Sequence, residues 1–174
     1  MSELEDFRKA KDEFFANDPR SPLSPQQRAG FAGLAYYPEN PELRIDAALD
    51  TGVDRVEGIP LGTTTGGVQV YRRAGVLRFE VEGVPAQVTL FASPEMDDLF
   101  LPFRDATSGK ETYGAGRYLE VDPPGPDGRV VADLNHAYNP YCCYDENWSC
   151  PLPPRENWLD IPIRAGEKDF PWES

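Results

Sequence analysis

The sequence predicts a mainly β protein: a β-rich α+β fold built as a small antiparallel β-barrel or sandwich, with an N-terminal amphipathic helix and a second short helix. Three observations carry this. Apolar residues recur with helical spacing only near the N-terminus, before Gly33. From Leu43 onward the period changes to two. Gly- and Pro-rich turn signals then interrupt the period-two stretches at short intervals.

The first helix begins at a capping box, Ser2 with Glu5, and carries Leu4, Phe7, Ala10 and Phe14 on one face until Asn17-Asp18-Pro19 stops it. The second starts at Ser24, with Pro25 in the first helical position and Gln27 completing another capping box, and ends near Gly30 to Gly33. Leu43, Ile45, Ala47 and Leu49 then alternate with polar or small neighbours as a strand does. The clearest β segment is Val68 to Ala92, read as a three-stranded meander: Val68 to Arg72, Val76 to Glu82 and Ala86 to Ala92, separated by Ala74-Gly75 and Gly83-Val84-Pro85. In its middle strand Leu77, Phe79 and Val81 face the core, while Arg78, Glu80 and Glu82 face water. Further strands are expected at Leu99 to Phe103, Arg117 to Val121, Arg129 to Leu134 and Trp158 to Arg164. The turn cluster Asp122 to Gly128 makes Arg117–Val121 and Arg129–Leu134 expected hairpin partners.

A chain of 174 residues fits one domain, with 1–33 packed as a helical segment on a β core spanning 43–164. Hydrophobic residues at 40% and charged residues at 27% are ordinary for a globular chain. Thirty acidic against seventeen basic residues leave a formal charge of −13, which repels phosphate backbones and anionic lipid surfaces, so nucleic acid and membrane are excluded as expected partners. No apolar run approaches the ~20 residues of a membrane helix and no basic-then-apolar leader opens the chain, so the reading is cytoplasmic. The same acidity, with Lys only at positions 9, 11, 110 and 168, is the composition expected of a halophilic or salt-tolerant host.

Two segments do not read as scaffold. Phe103 to Arg117 is longer and more polar than a plain connection requires. It is not a phosphate loop, because Arg104 and Glu111 stand where Gly and Ser or Thr are needed, and Gly114-Ala115-Gly116 lacks the third Gly of a dinucleotide fingerprint. Two readings remain. In one, Arg104, Lys110 and Arg117 supply charge to an anion while backbone N–H groups around Ser108-Gly109 and Gly114 to Gly116 form a nest. In the other the hairpin is merely solvated, with Arg104 paired to Asp105 or Glu111.

The second segment, Asp133 to Asn157, holds every Cys and the only His in an order-breaking run of Asn and Pro. Its cysteines leave several readings open. A zinc site from Cys142, Cys143, Cys150 and His136 is disfavoured by the adjacency of Cys142 and Cys143, and no metal or other cofactor is predicted. A Cys142–Cys150 disulfide, a Cys nucleophile served by His136, and small buried thiols are the alternatives. Asp105, Asp133 and Glu156 are either an acid–base set or loop braces, with Asp133 and Asn135 bonding backbone N–H groups. Trp148, Trp158 and Trp172 are read as core or loop packing.

Together Phe103 to Tyr113, Asp133-Leu134-Asn135, Ala137-Tyr138-Asn139-Pro140, Cys150-Pro151-Leu152-Pro153-Pro154 and Glu156-Asn157 resemble the signature of domain of unknown function 1684, a large uncharacterised bacterial and archaeal family. Lys11-Asp12, Phe14-Phe15, Ser21-Pro22-Leu23, Phe31-Ala32-Gly33-Leu34 and Tyr36-Tyr37-Pro38 resemble its opening. The resemblance implies that both polar segments are characteristic of the family and that Cys142 and Cys150 belong to its pattern, while Cys143 and His136 depart from it. It implies no activity. The resulting expectation is a small polar or anionic ligand held between 103–117 and 133–157. Arg104, Lys110 and Arg117 give charge, Ser108, Asn135 and Asn139 give hydrogen bonds, and Asp105, Asp133 and Glu156 are counted among the ligand-binding residues. Tyr113, Tyr138 and Tyr144 form walls, and Cys142 and Cys150 lie alongside. An enzyme, such as a hydrolase, using the same pocket and a purely structural or interaction protein are the alternatives.

Overall fold

The structure, a computed structural model, describes residues 2–52 and 58–170. Both capping boxes form as their spacing dictates, opening α1 (Glu3–Asn17) at Ser2 and α2 (Pro25–Ala29) at Ser24. Helix α1 anchors through Leu4 and Phe15, the latter packed with Leu23, Cys143 and Tyr144. The expected apolar face is only partly covered, because Phe7 stays 45% exposed and Ala10 is also exposed.

The strands are β1 (Arg44–Ala48), β2 (Ile59–Gly62), β3 (Val68–Val81), β4 (Val84–Ala92), β5 (Leu99–Phe103), β6 (Arg117–Val121) and β7 (Arg129–Asp133). Strands β2-β3-β4-β5-β6 form one antiparallel sheet, curved as a half-barrel, and β1 pairs with β7 in a second. Asp50 and Val76 exchange backbone hydrogen bonds of 2.9 Å, joining the exit of β1 to β3. The protein is mainly β, with antiparallel sheets and few helices, as the sequence predicts. Among the described residues no helix is long and apolar enough to cross a membrane.

Period-two alternation places the strands' two faces in different cores. Val88, Leu90 and Ala92 of β4, Leu99 and Leu101 of β5, and Leu119 and Val121 of β6 face Ile45, Val130 and Ala132 of the small sheet. Between them Phe91, Phe100 and Tyr118 point the other way, onto Tyr71, Cys142 and Cys150. Both faces of β4 to β6 are therefore covered, the second one by the loop that carries the cysteines.

Three strand expectations need correction. The meander is one long hairpin: β3 runs without a break through Ala74-Gly75, which is a bulge rather than a turn. A Cβ on Gly75 would stand 2.6 Å from Leu49 Cγ and 2.9 Å from the Asp50 carbonyl, so glycine there admits the close crossing of β1 over β3. The hairpin turn is Glu82-Gly83, both at positive φ as a tight two-residue turn requires. Second, β6 and β7 are not partners. β6 pairs with β5, β7 pairs with β1, and the stiff link of Pro123, Pro124 and Pro126 carries the chain from one sheet to the other. Third, Trp158 to Arg164 forms no strand. Pro162 has no N–H to give, and the Ile163 N–H goes to the Asp105 carboxylate instead of a neighbouring strand.

Candidate functional site

The polar groups of 103–117 turn inward. Asp105 Oδ2 accepts from the Ile163 N–H at 2.6 Å, and its two oxygens accept from the Thr107 hydroxyl at 2.9 and 3.0 Å; Ser108 Oγ donates to Oδ1 at 3.3 Å. Arg117, only 1% exposed, donates to the carbonyls of Ala165 (2.5 Å), Ile163 (2.8 Å) and Glu167 (3.2 Å), and pairs with Asp105 at 3.5 Å. Burial lowers its pKa and the Asp105 charge opposes that shift. These two residues fasten the 161–167 segment, which no strand ladder holds. The remaining cations do not join Arg117. Arg104 stacks 4.5 Å over Trp158, whose indole N–H donates to the Pro153 carbonyl, and Lys110 is exposed. The solvated-hairpin alternative fails in its detail, since Asp105 pairs with Arg117 and Glu111 with Arg164 and the Tyr37 hydroxyl.

Several residues of 133–157 are braces as well. Asn135 takes the Asn40 N–H at 2.8 Å and donates to the Asn40 carbonyl at 2.9 Å, while Asp133 caps the Leu134–His136 turn through the Asn135 N–H. Asn139 donates to the Lys168 carbonyl at 2.9 Å. Glu156 ion-pairs with Arg73 at 2.9 Å and accepts from the Thr89 hydroxyl at 2.7 Å; burial raises its pKa, but Arg73 and Thr89 outweigh that and hold it low. Tyr144 is buried edge-on against Phe15 at 5.1 Å and walls no open pocket. His136 contacts Asp133 (3.8 Å) and the Phe7 ring (4.8 Å).

An open concavity lies elsewhere, between α1 and the Tyr138–Cys150 stretch: a groove of about 650 Å³. Helix α1 contributes Phe7, Ala10 and Lys11, β6 contributes Tyr118, and the loop contributes Tyr138, Pro140, Tyr141, Trp148 and Cys150. Trp148 is 45% exposed and meets Tyr141 edge-on at 5.2 Å, so it is loop packing at a rim rather than core. Trp158 is likewise an exposed loop residue, and Trp172 lies outside the described residues. Tyr118 and Tyr138 stand perpendicular at 6.0 Å. Their hydroxyls donate to the Pro151 carbonyl and the Glu120 carboxylate, and burial above all keeps both phenols protonated. Lys11 is the cation of this groove. It ion-pairs with Glu167, itself 1% exposed and held by the Asn139 N–H and the Tyr144 hydroxyl, each at 3.1 Å, and it lies 4.9 Å from the Tyr138 ring centre. Of the predicted site residues, only Tyr138 and Cys150 line the groove. Lys11, Phe7, Tyr118 and Trp148 do so although the sequence does not mark them as site residues; the one legible signal is Phe7, Ala10 and Phe14 sharing a face with Lys11 beside it.

The three thiols are free. Cys142 receives a hydrogen bond from the Tyr113 hydroxyl at 3.5 Å. The Cys150 thiol, and then Tyr113 and Thr64, stabilise its thiolate and outweigh burial, lowering its pKa to about 6. Cys150 is shifted up by the same contact. Cys143 points away from both, toward Asp169, and burial raises it. Among the described residues no group of three His, Cys, Asp or Glu is placed to hold a metal.

Residues 29–168 match the model of a family described as "Protein of unknown function (DUF1684)". The match begins after the Lys11 to Leu23 motifs. A solution NMR structure of the uncharacterized protein from gene locus rrnAC0354 of Haloarcula marismortui superposes with a TM-score of 0.71 at 35% sequence identity, covering 95% of this chain and 91% of that one. No curated protein matches the chain.

Proposed function

Since the chain belongs to the DUF1684 family, whose activity is undescribed, we propose from the site itself that this protein binds a small amphipathic ligand, an apolar planar body with one anionic group, in the groove between α1 and the Tyr138–Cys150 stretch. The observation that carries this is the groove's composition: aromatic side chains on three sides, Phe7 and Trp148 both left exposed at 45%, and Lys11 among them. Exposed aromatic surface on a concavity is costly in water and is what a ligand's apolar face would cover. Lys11 uses one N–H on Glu167 and keeps further donors for an anionic end. This keeps the small anionic ligand of the sequence reading and moves it from the 103–117 hairpin to α1. Cytoplasmic residence and a salt-tolerant host fit the net charge of −13 and belong to the same proposal.

The test is titration with anilinonaphthalene sulfonate, an aromatic anion, against its uncharged analogue N-phenylnaphthylamine. Saturable one-to-one binding, tighter for the sulfonate and weakened about tenfold by Trp148→Ala, is expected. Trp148 is exposed, so its removal is expected to shift stability by less than about 0.5 kcal/mol. Non-saturable binding, or affinity indifferent to Trp148→Ala, overturns the proposal.

A further inference from the structure

Cys142 and Cys143 are consecutive, yet the 3₁₀ turn Tyr141–Cys143 sends them to different places. Cys143 joins Phe15, Leu23 and Tyr144 under α1, beside a carboxylate. Cys142 joins Cys150 in the cluster on the far face of the main sheet, with Tyr71, Phe100 and Tyr118. The loop from Cys142 returns Cys150 to the same cluster, and this return is pinned: the Cys150 N–H donates to the Thr64 hydroxyl at 3.2 Å, and the Thr64 N–H to the Cys150 carbonyl at 3.0 Å. Cys142 faces a hydroxyl donor, Tyr113, whereas Cys143 faces an acceptor. Cys150 also lines the groove, and Cys142 lies behind it at 7% exposure, so the pair meets the groove through Cys150.

We infer that Cys142 and Cys150 are a redox-active dithiol, oxidised to a disulfide by a small hydroperoxide that enters through the groove. The pair is fixed by its shared cluster, the pinned return of the loop and the Tyr113 hydroxyl on Cys142. The lowered pKa of Cys142 agrees, since the thiolate is the nucleophile. In the first step a lone pair of the Cys142 thiolate forms an S–O bond to the terminal oxygen of R–O–O–H as the O–O bond breaks. The departing alkoxide takes a proton and leaves as R–OH, and Cys142 becomes a sulfenic acid. In the second step Cys150 sulfur attacks Cys142 Sγ. The hydroxyl leaves with the Cys150 proton as water, and the disulfide forms. Two thiols are oxidised by two electrons, and one peroxide is reduced to an alcohol and water. The step does not require the groove to hold the amphipathic ligand proposed above. Because Trp148 lies inside the loop that the disulfide would close, its emission reports the change.

The experiment treats the reduced full-length chain with a small molar excess of hydrogen peroxide and follows thiol count and intact mass under denaturing conditions. Expected are loss of two hydrogens, a fall from three thiols to one, a Cys142–Cys150 bridge in peptide maps, and full reversal by dithiothreitol. With Cys150→Ser, dimedone is expected to trap a sulfenic acid at Cys142; with Cys142→Ser, oxidation should slow to the rate of Cys143. Because either variant can perturb packing, a second measurement uses the unmodified sequence: iodoacetamide labelling of each cysteine across pH. Cys142 is expected to react well below the ordinary thiol pKa of about 8.5 and Cys143 not at all in the folded state. Three thiols surviving a peroxide excess that consumes free cysteine, a bridge to Cys143, or equal labelling of all three cysteines overturns the inference.

Discussion

The Phe103–Arg117 hairpin and the Tyr138–Cys150 loop present opposite solutions to the same problem, how to hold a long irregular segment on a sheet. The hairpin turns its charges inward, with Asp105 and Arg117 satisfying backbone groups of 161–167 that have no strand partner. The loop turns aromatic rings inward through Tyr144 and leaves Tyr138, Tyr141 and Trp148 at an open groove. In a chain of net charge −13, a local excess of cations marked a structural brace, whereas the open surface lies where the sequence is aromatic. The physical reason is that a buried charge is kept only where partners surround it, while an exposed aromatic ring needs no partner to persist and gains one on binding.

The most severe way to break this contrast is Arg117→Met, which leaves the Asp105 carboxylate buried beside three orphaned carbonyls. A loss of about 3–5 kcal/mol is expected in urea unfolding, with dye binding per folded molecule unchanged. A loss below about 1 kcal/mol would mean that the hairpin's charges are not what holds 161–167. Gly116→Ala probes the same brace more gently. Gly116 sits at φ 107°, and a Cβ there would stand 2.6 Å from the Phe103 carbonyl oxygen and 2.8 Å from Pro153. Backbone strain and the clash together are expected to cost about 2 kcal/mol, again without effect on the groove.

The sequence carried the local rules faithfully. Both capping boxes and the period-two cores of β4 to β6 follow from near neighbours, and those are what a linear reading weighs; the turn read at Gly83-Val84-Pro85 falls one residue earlier, at Glu82-Gly83, with Val84 and Pro85 already in β4. It failed where distant residues decide. Gly75 reads as a turn because the Leu49 and Asp50 backbone crossing above it is invisible in the β3 sequence alone. Ile163 reads as strand because the Asp105 carboxylate that takes its N–H lies 58 positions away. The Arg117 side chain reads as a ligand because charge density looks the same whether it faces inward or outward. Lys11 does not read as a ligand for the complementary reason: its role depends on Glu167, a residue 156 positions away that nothing in the helix announces.

The smallest expected effect separates charge inside from charge outside. The Arg117–Asp105 and Lys11–Glu167 pairs are shielded from ions by burial, so salt has little access to them. The surplus carboxylates lie mostly on the surface, where their mutual repulsion is screened as the Debye length falls from about 10 Å at 0.1 M to about 3 Å at 1 M salt. Raising sodium chloride across that range is therefore expected to stabilise the protein by on the order of 1 kcal/mol, a rise of roughly 2–4 °C in melting temperature. Arg117→Met should start from a much lower melting temperature and show the same salt increment, because the lost pair never felt the salt. An increment that vanishes in the variant would place the salt-sensitive charges in the hairpin interior and erase the distinction between its inward charges and the acidic surface. A melting temperature indifferent to salt in both proteins would remove self-repulsion as the reason for the chain's acidity.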